Sequence, residues 1–483
     1  MMSVSSILEK ITPIKLLMMV TLFCVISIFA FFNYGVSYAI LLIILLVALP
    51  AAIAIIIYPK FGIIVLLVSS YIVMFFSRAG VNFPLGTLMD GLELLLLLGF
   101  FISQKLRPNW KIFQNWTSVL ILIWISYNLL EILNLYANSQ LAWVFTIRSV
   151  AIVMLLYFIF MVQIRTVEFI RLIINIWIGL AFFAALYAFK QEHFGFFAFE
   201  ENWLASDPNL GTLYFILGHW RKFSIFSDPV AFSYNMVTCA IMCTVQILNT
   251  ENIYKRLIFV ALIFFFLLNM MYSGTRGAYV LYPAALFLLA ILKLNYKVII
   301  FTSISFLFLI GLIFAPIYNQ NVMRFQSAFR PSDDASFNVR KRNQKRIQPF
   351  IQEHPFGGGL GSTGTWGERF SPNSYLAQFP PDSGYVRVAV ETGWVGLLIF
   401  CSLMFSIMYN GIKNYYVIKD PELKNYCLAM ILLVFALNIG NYPQEALVQF
   451  PHSVYFYLFV SLIFITRQLD EEKQAKLLEV DNG

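Results

Sequence analysis

Five short stretches hold residues whose types and spacing suit chemistry on an anionic group. The first is Arg221-Lys222-Phe223-Ser224-Ile225-Phe226-Ser227-Asp228-Pro229, and the second is Ser273-Gly274-Thr275-Arg276-Gly277-Ala278. Each offers an arginine, whose planar fork of five N–H donors matches the oxygens of a phosphate or carboxylate. The third is the basic run from Arg340 to Arg346, which leads into Ile347, Phe350 and Ile351. That spacing predicts a short amphipathic helix with one apolar stripe, kinked at Pro349. The fourth, His354-Pro355-Phe356-Gly357-Gly358-Gly359-Leu360-Gly361, can bring backbone N–H groups close to a ligand. It lacks the Gly-Lys-Ser/Thr ending of a nucleotide loop. The fifth runs from Pro381 to Gly396 and carries Asp382, Tyr385 and Glu391. A carboxylate there could accept a proton, although the start of a helix favours a carboxylate whatever its function.

These stretches must be positioned by membrane helices. The chain of 483 residues is 60% hydrophobic and only 12% charged, where soluble domains run near 45–50% apolar and about 25% charged. Runs such as Ile40–Ile57 and Leu257–Met271 are continuously apolar, which excludes the alternating pattern of a β-barrel. The expected fold is an all-α polytopic bundle. Fourteen spans are predicted, at 16–33, 37–57, 61–77, 87–104, 115–135, 145–164, 168–189, 229–249, 256–273, 276–293, 297–316, 388–411, 424–440 and 450–467. The first has no small-residue cleavage site after it and is expected to be retained.

Charge fixes the direction of the spans. With the N-terminus in the cytoplasm, the even-numbered connections carry Lys60, Lys105, Arg107, Lys111, Arg165, Lys255, Arg256, Lys293, Lys297, Lys413, Lys419 and Lys424. Short odd-numbered connections are nearly free of lysine and arginine, which is the positive-inside pattern. Both termini are then cytoplasmic. Residues 1–316 form spans 1–11 with an outer segment at 190–228, residues 317–387 form a large periplasmic loop, and residues 388–483 form spans 12–14 and a tail. The net charge of +8 becomes in part an outer cationic surface, suited to an anionic substrate or to anionic headgroups of the membrane lipid. The basic helix could likewise lie on those headgroups. The five cysteines lack metal-ligand spacing and are expected as buried thiols.

In their order and their shared outer location, these motifs resemble the O-antigen ligase and O-antigen polymerase superfamily of bacterial envelope glycan enzymes. The resemblance covers roughly residues 215–400 with motifs and the rest by many-span architecture. Arg221 precedes the Phe-Xaa-Asp-Pro run, Arg276 sits in the Ser-Xaa-Thr-Arg-Gly-Ala turn, and Arg340 lies fifteen residues before Pro355. Tyr385, Glu391, Gly393 and Gly396 have the spacing of the last family motif, with Asp382 where the family has histidine.

The resemblance implies metal-independent, cofactor-free, inverting transfer of a glycan from a polyprenyl diphosphate carrier to an acceptor hydroxyl, in the bacterial inner membrane. The acceptor would be lipid A core in a ligase or a lipid-linked repeat in a polymerase, and the motifs do not choose between them. Arg221 and Arg276 would stabilise the diphosphate. Arg340, Arg346, Tyr385, Glu391, Gly357 and Gly359 would line the substrate site. Asp382, or a distant histidine such as His354 or His219, would be the base. The pair Asp333-Asp334 is expected to be solvated, and no nucleic-acid partner is expected. A flippase or transporter of lipid-linked glycans is the alternative. It would use intramembrane acids such as Asp90, Glu93 and Glu131, but no duplicated half is visible, and Asp90 and Glu93 could simply pair with Arg148 or Arg78.

Overall fold

A computed structural model describes residues 48–80, 85–216, 218–317, 320–329 and 335–481. Span one, most of span two, Cys24 and Asp333-Asp334 lie outside the described residues. The described chain is predominantly helical with almost no strand, as suits a solvent where hydrocarbon supplies no partner for backbone N–H and C=O groups.

Ten of the described helices are long and apolar enough to cross a membrane: Pro59–Arg78, Gly86–Leu106, Trp116–Leu133, Gln140–Gln163, Val167–Phe194, Pro229–Asn249, Ile253–Tyr272, Tyr296–Phe314, Gly384–Val417 and Pro421–Gly440. They match expected spans three to nine and eleven to thirteen. Span ten is present as the shorter helix Arg276–Leu292, broken after Tyr279. The last apolar run forms the start of the helix His452–Asp481. Starts follow local capping chemistry: Asn115, Ser139, Thr166, Asn252, Ser383 and Asp420 each accept a hydrogen bond from the first turn of the helix they open.

Burial ranks the helices. The most apolar window of Pro229–Asn249 is 83% buried and that of Pro421–Gly440 72%, against 17% for Tyr296–Phe314. The first two are therefore central, and the third is left to face lipid. Two polar pairings lie among the helices: the Tyr71 hydroxyl donates to Asn235 Oδ1 at 2.6 Å, and Arg148 forms the expected ion pair with Asp90. Cys239, Cys243 and Cys427 are buried free thiols, while Cys401 is exposed.

In two segments outside the long helices the described residues form further elements. Residues 196–228 hold two short helices, Ala198–Ala205 and Pro208–Tyr214, and a small antiparallel pairing of Phe215-Ile216 with His219-Trp220. Their small hydrophobic core includes Leu204, Tyr214 and Phe223. The Arg78 guanidinium lies 4.4 Å from the centre of the Phe223 ring and donates to the Ser224 carbonyl at 3.0 Å. Residues 317–387 hold the helices Gln320–Ser327, Ala335–Glu353 and Gly364–Phe370. Ile347, Leu376, Phe379 and Val390 form a separate small core that docks this segment on the helix Gly384–Val417.

Candidate functional site

The two arginine motifs are stitched together. Asp228 caps the helix Pro229–Asn249 by accepting from Val230 N at 2.7 Å and Ala231 N at 3.0 Å, with Pro229 at its first position. The Asp-Pro of the first motif is thus a helix start. Ahead of it, Ser224 has φ +52° and is held by Gln191 and by the Ala184 carbonyl. Arg221 then crosses to the second motif. Its Nε donates to the Ser273 carbonyl at 2.9 Å, its Nη2 to Thr275 Oγ1 at 3.0 Å and its Nη1 to the Leu213 carbonyl at 3.3 Å. Among the described residues three of its five N–H donors are so committed, which leaves two for a ligand.

A cavity of about 110 Å³ opens beside this junction, lined by Arg221, Arg276, Arg324, Arg340, the Gly274–Gly277 turn, Ile216, Pro443 and Gln444. The structure therefore brings together three arginines chosen from sequence and adds a fourth, Arg324. Arg324 sits on the helix Gln320–Ser327 and is only 7% exposed. Gly274 makes room for it: φ there is +58°, and a Cβ would lie 2.6 Å from Arg324 Nη1. Burial pushes the Arg221 guanidinium down, and the Asp228 carboxylate opposes that. Burial and then Arg221 push Arg324 down to about 10. Both stay protonated at neutral pH, so the cavity concentrates positive charge in a partly dehydrated space.

Asp382 stands within electrostatic reach of this cavity. It precedes Ser383, the cap of the helix Gly384–Val417, and its carboxylate is 3.5 Å from Asn343 Nδ2. Burial raises its pKa above the ordinary carboxylate range, while Arg340 and Asn343 pull it back. Its segment is anchored by Gly384 N donating to the Asn441 carbonyl at 2.9 Å. A Cβ on Gly384 would lie 2.2 Å from Asn441 Oδ1.

The other sequence-chosen residues lie elsewhere. Glu391 is buried inside the protein, where it accepts from Thr363 Oγ1 at 2.6 Å and from Arg387 Nε at 3.1 Å. Arg387 also reaches Glu445 at 2.5 Å, and all three charged groups border a separate cavity of about 50 Å³ (Asn441 lines it too). The Tyr385 hydroxyl donates to Asn438 Oδ1 at 3.1 Å. Arg346 lies over the Tyr375 ring, 5.2 Å from its centre, and is absent from the lining of the arginine cavity.

The glycine-rich turn differs from the expected phosphate cradle. Gly357 N donates to the His354 carbonyl at 3.0 Å and Gly359 N to the Glu391 carbonyl at 2.9 Å, so neither amide is free for a ligand. Their role is close approach. A Cβ on Gly357 would lie 2.4 Å from Gly393 N, and one on Gly359 would lie 2.5 Å from Ala137 Cβ. Gly393 itself, at φ +70°, breaks the helix Gly384–Val417 where the turn docks. Of the two histidines weighed as bases, His354 stacks on Phe350 and His219 Nε2 is 3.2 Å from Glu192 Oε2; neither lines the arginine cavity.

Among known proteins, residues 260–401 match a family model described as O-antigen ligase. The matched stretch contains Arg276, Arg324, Arg340 and Asp382, and Arg221 precedes it. No curated protein sequence matches the chain.

Proposed function

We propose that this protein, supported by its family match as one of the O-antigen ligase and polymerase superfamily, moves a glycan from a polyprenyl diphosphate to an acceptor hydroxyl. The observation that carries the reading is the convergence of four arginines from distant parts of the chain on one cavity, with Asp382 near enough to one of them, Arg340, to feel its charge. A lipid-linked diphosphate brings several negative charges to the membrane surface and is the leaving group of the reaction. As its bond to the anomeric carbon breaks, the bonding electrons pass to a phosphate oxygen. Arg221, Arg276, Arg324 and Arg340 stabilise that growing charge without reorganising.

The acceptor hydroxyl attacks from the opposite side of the sugar and gives its proton to Asp382, so the configuration inverts and the free lipid diphosphate departs. A solvated aspartate, with a pKa near 4, is a weak base. Burial raises Asp382 and makes it a better one. Arg340 keeps the carboxylate charged before the attack. The fourteen-span reading puts this site on the periplasmic face of the inner membrane, with both termini cytoplasmic. The acceptor is lipid A core or another lipid-linked repeat.

Arg221→Ala and Arg276→Ala should each stop glycan transfer while the protein still inserts and accumulates. Wild-type transfer by either variant would remove the proposed diphosphate clamp. The envelope glycans of a strain lacking the protein tell the two acceptors apart. Unligated full-length chains identify a ligase, and single repeat units identify a polymerase.

A further inference from the structure

The basic helix Ala335–Glu353 carries two chemistries on opposite faces. Arg340 looks inward to the cavity, Asn343 meets Asp382, and Ile347, one per cent exposed, belongs to the small core under the helix. At about 3.6 residues per turn these three share one side. Lys341, Arg342, Lys345 and Arg346 fall on the other side and are all exposed. Among the described residues none of the four pairs with an acid; Arg346 rests on the Tyr375 ring.

That outer face is unfavourable for the helix on its own. Lys341 and Lys345, and Arg342 and Arg346, are like charges four residues apart, an arrangement that destabilises an isolated helix. The repulsion is relieved when a partner supplies negative charge. The uncharged neighbours indicate what kind of partner. Val339 and Tyr375 are 48% and 47% exposed beside the cations. Cations mixed with an aliphatic and a tyrosine ring suit the boundary between headgroups and acyl chains, where amphipathic rings sit and basic side chains reach phosphates. A soluble polyanion would leave the apolar groups in water.

We propose that the face formed by Lys341, Arg342, Lys345 and Arg346 docks on anionic phospholipid headgroups of the bilayer that holds the protein, and so fixes the helix that carries Arg340. The proposal is independent of the transfer reaction. Each cation at an anionic surface strengthens binding roughly fivefold, and salt screens the effect.

The test is amide hydrogen exchange of residues 341–353 in the full-length protein, in nanodiscs of phosphatidylcholine alone or with phosphatidylglycerol. Exchange should slow several-fold with phosphatidylglycerol, and the slowing should vanish at an ionic strength of roughly 0.5 M. It should also vanish in the variant Lys341→Gln, Arg342→Gln, Lys345→Gln, Arg346→Gln. The pair Lys341→Gln, Lys345→Gln removes one repulsion, keeps the helix and should lose part of the effect. Equal exchange in the two lipids would overturn the proposal, as would slowing that survives in the fourfold variant. Slowing of the same size by soluble glycerol phosphate in phosphatidylcholine discs would overturn it in favour of a free anion.

Discussion

Arg324→Ala tests the cavity at the residue whose two possible roles lead to opposite results. If Arg324 stabilises the leaving diphosphate, its charge acts across about 5 Å at an effective dielectric near 20, which gives roughly 3 kcal/mol. Removing it should then slow transfer about a hundredfold, within the range found when one preorganised donor is deleted. The fold gives the opposite sign for stability. Burial and Arg221 push Arg324 down to about 10, so the folded state disfavours its charge by roughly 3–4 kcal/mol. At neutral pH the arginine is protonated folded and unfolded, and that cost is fully present. The alanine variant sheds the cost but also loses packing beside Gly274 and the other interactions of the guanidinium, so its thermal midpoint should stay near that of the wild type. Arg324→Lys keeps the charge without the fork and should fall between. The assay is transfer from a polyprenyl-diphosphate glycan by purified protein, read beside thermal unfolding in the same detergent. Activity within about threefold of wild type would refute the reasoning; so would a loss that merely follows the loss of folded protein.

Asp382 and Arg340 should share one pH signature. An acid whose folded pKa is raised is protonated more readily, so transfer should fall as pH drops through a midpoint above the ordinary aspartate range. Arg340→Gln removes a cation that lowers that pKa and should move the midpoint to higher pH, while Asp382→Asn should abolish transfer; both are read from pH–rate profiles. Gly357→Ala and Gly393→Ala should each destabilise the protein by about 2 kcal/mol or more, read as a lower thermal midpoint. The cause is φ near +70° at both positions and a Cβ 2.4 and 2.0 Å from facing backbone.

The helices were largely legible because a hydrocarbon solvent leaves the chain few choices. Apolar runs had to become helices, and Asn115, Thr166 and Asp420 marked their starts. Arg221 and Arg276 were legible for a related reason: each sits in a short motif whose neighbours fix the backbone, through the Asp228 cap and the Gly274 turn. Arg324 was not. It lies on a short helix in a long segment between spans, and only its tertiary position beside Gly274 gives it a role. Gly357 and Gly359 show the converse failure. A glycine permits close approach of a backbone, and the sequence does not say whether what approaches is a phosphate or the break at Gly393. Arg346 shares a run with Arg340, but a turn and two-thirds of helix separate them, and that rotation carries it away from the cavity.

The cavity wall is drawn from Ile216, Arg221, the 274–277 turn, Arg324, Arg340 and finally Pro443 and Gln444. A chain made from its N-terminus therefore acquires its arginines early and closes them in late. Until the connection after Gly440 emerges from the ribosome, the cations exist without the wall that gathers them around one space. A chain cut short between residues 341 and 443 would carry all four arginines and lack that part of the wall.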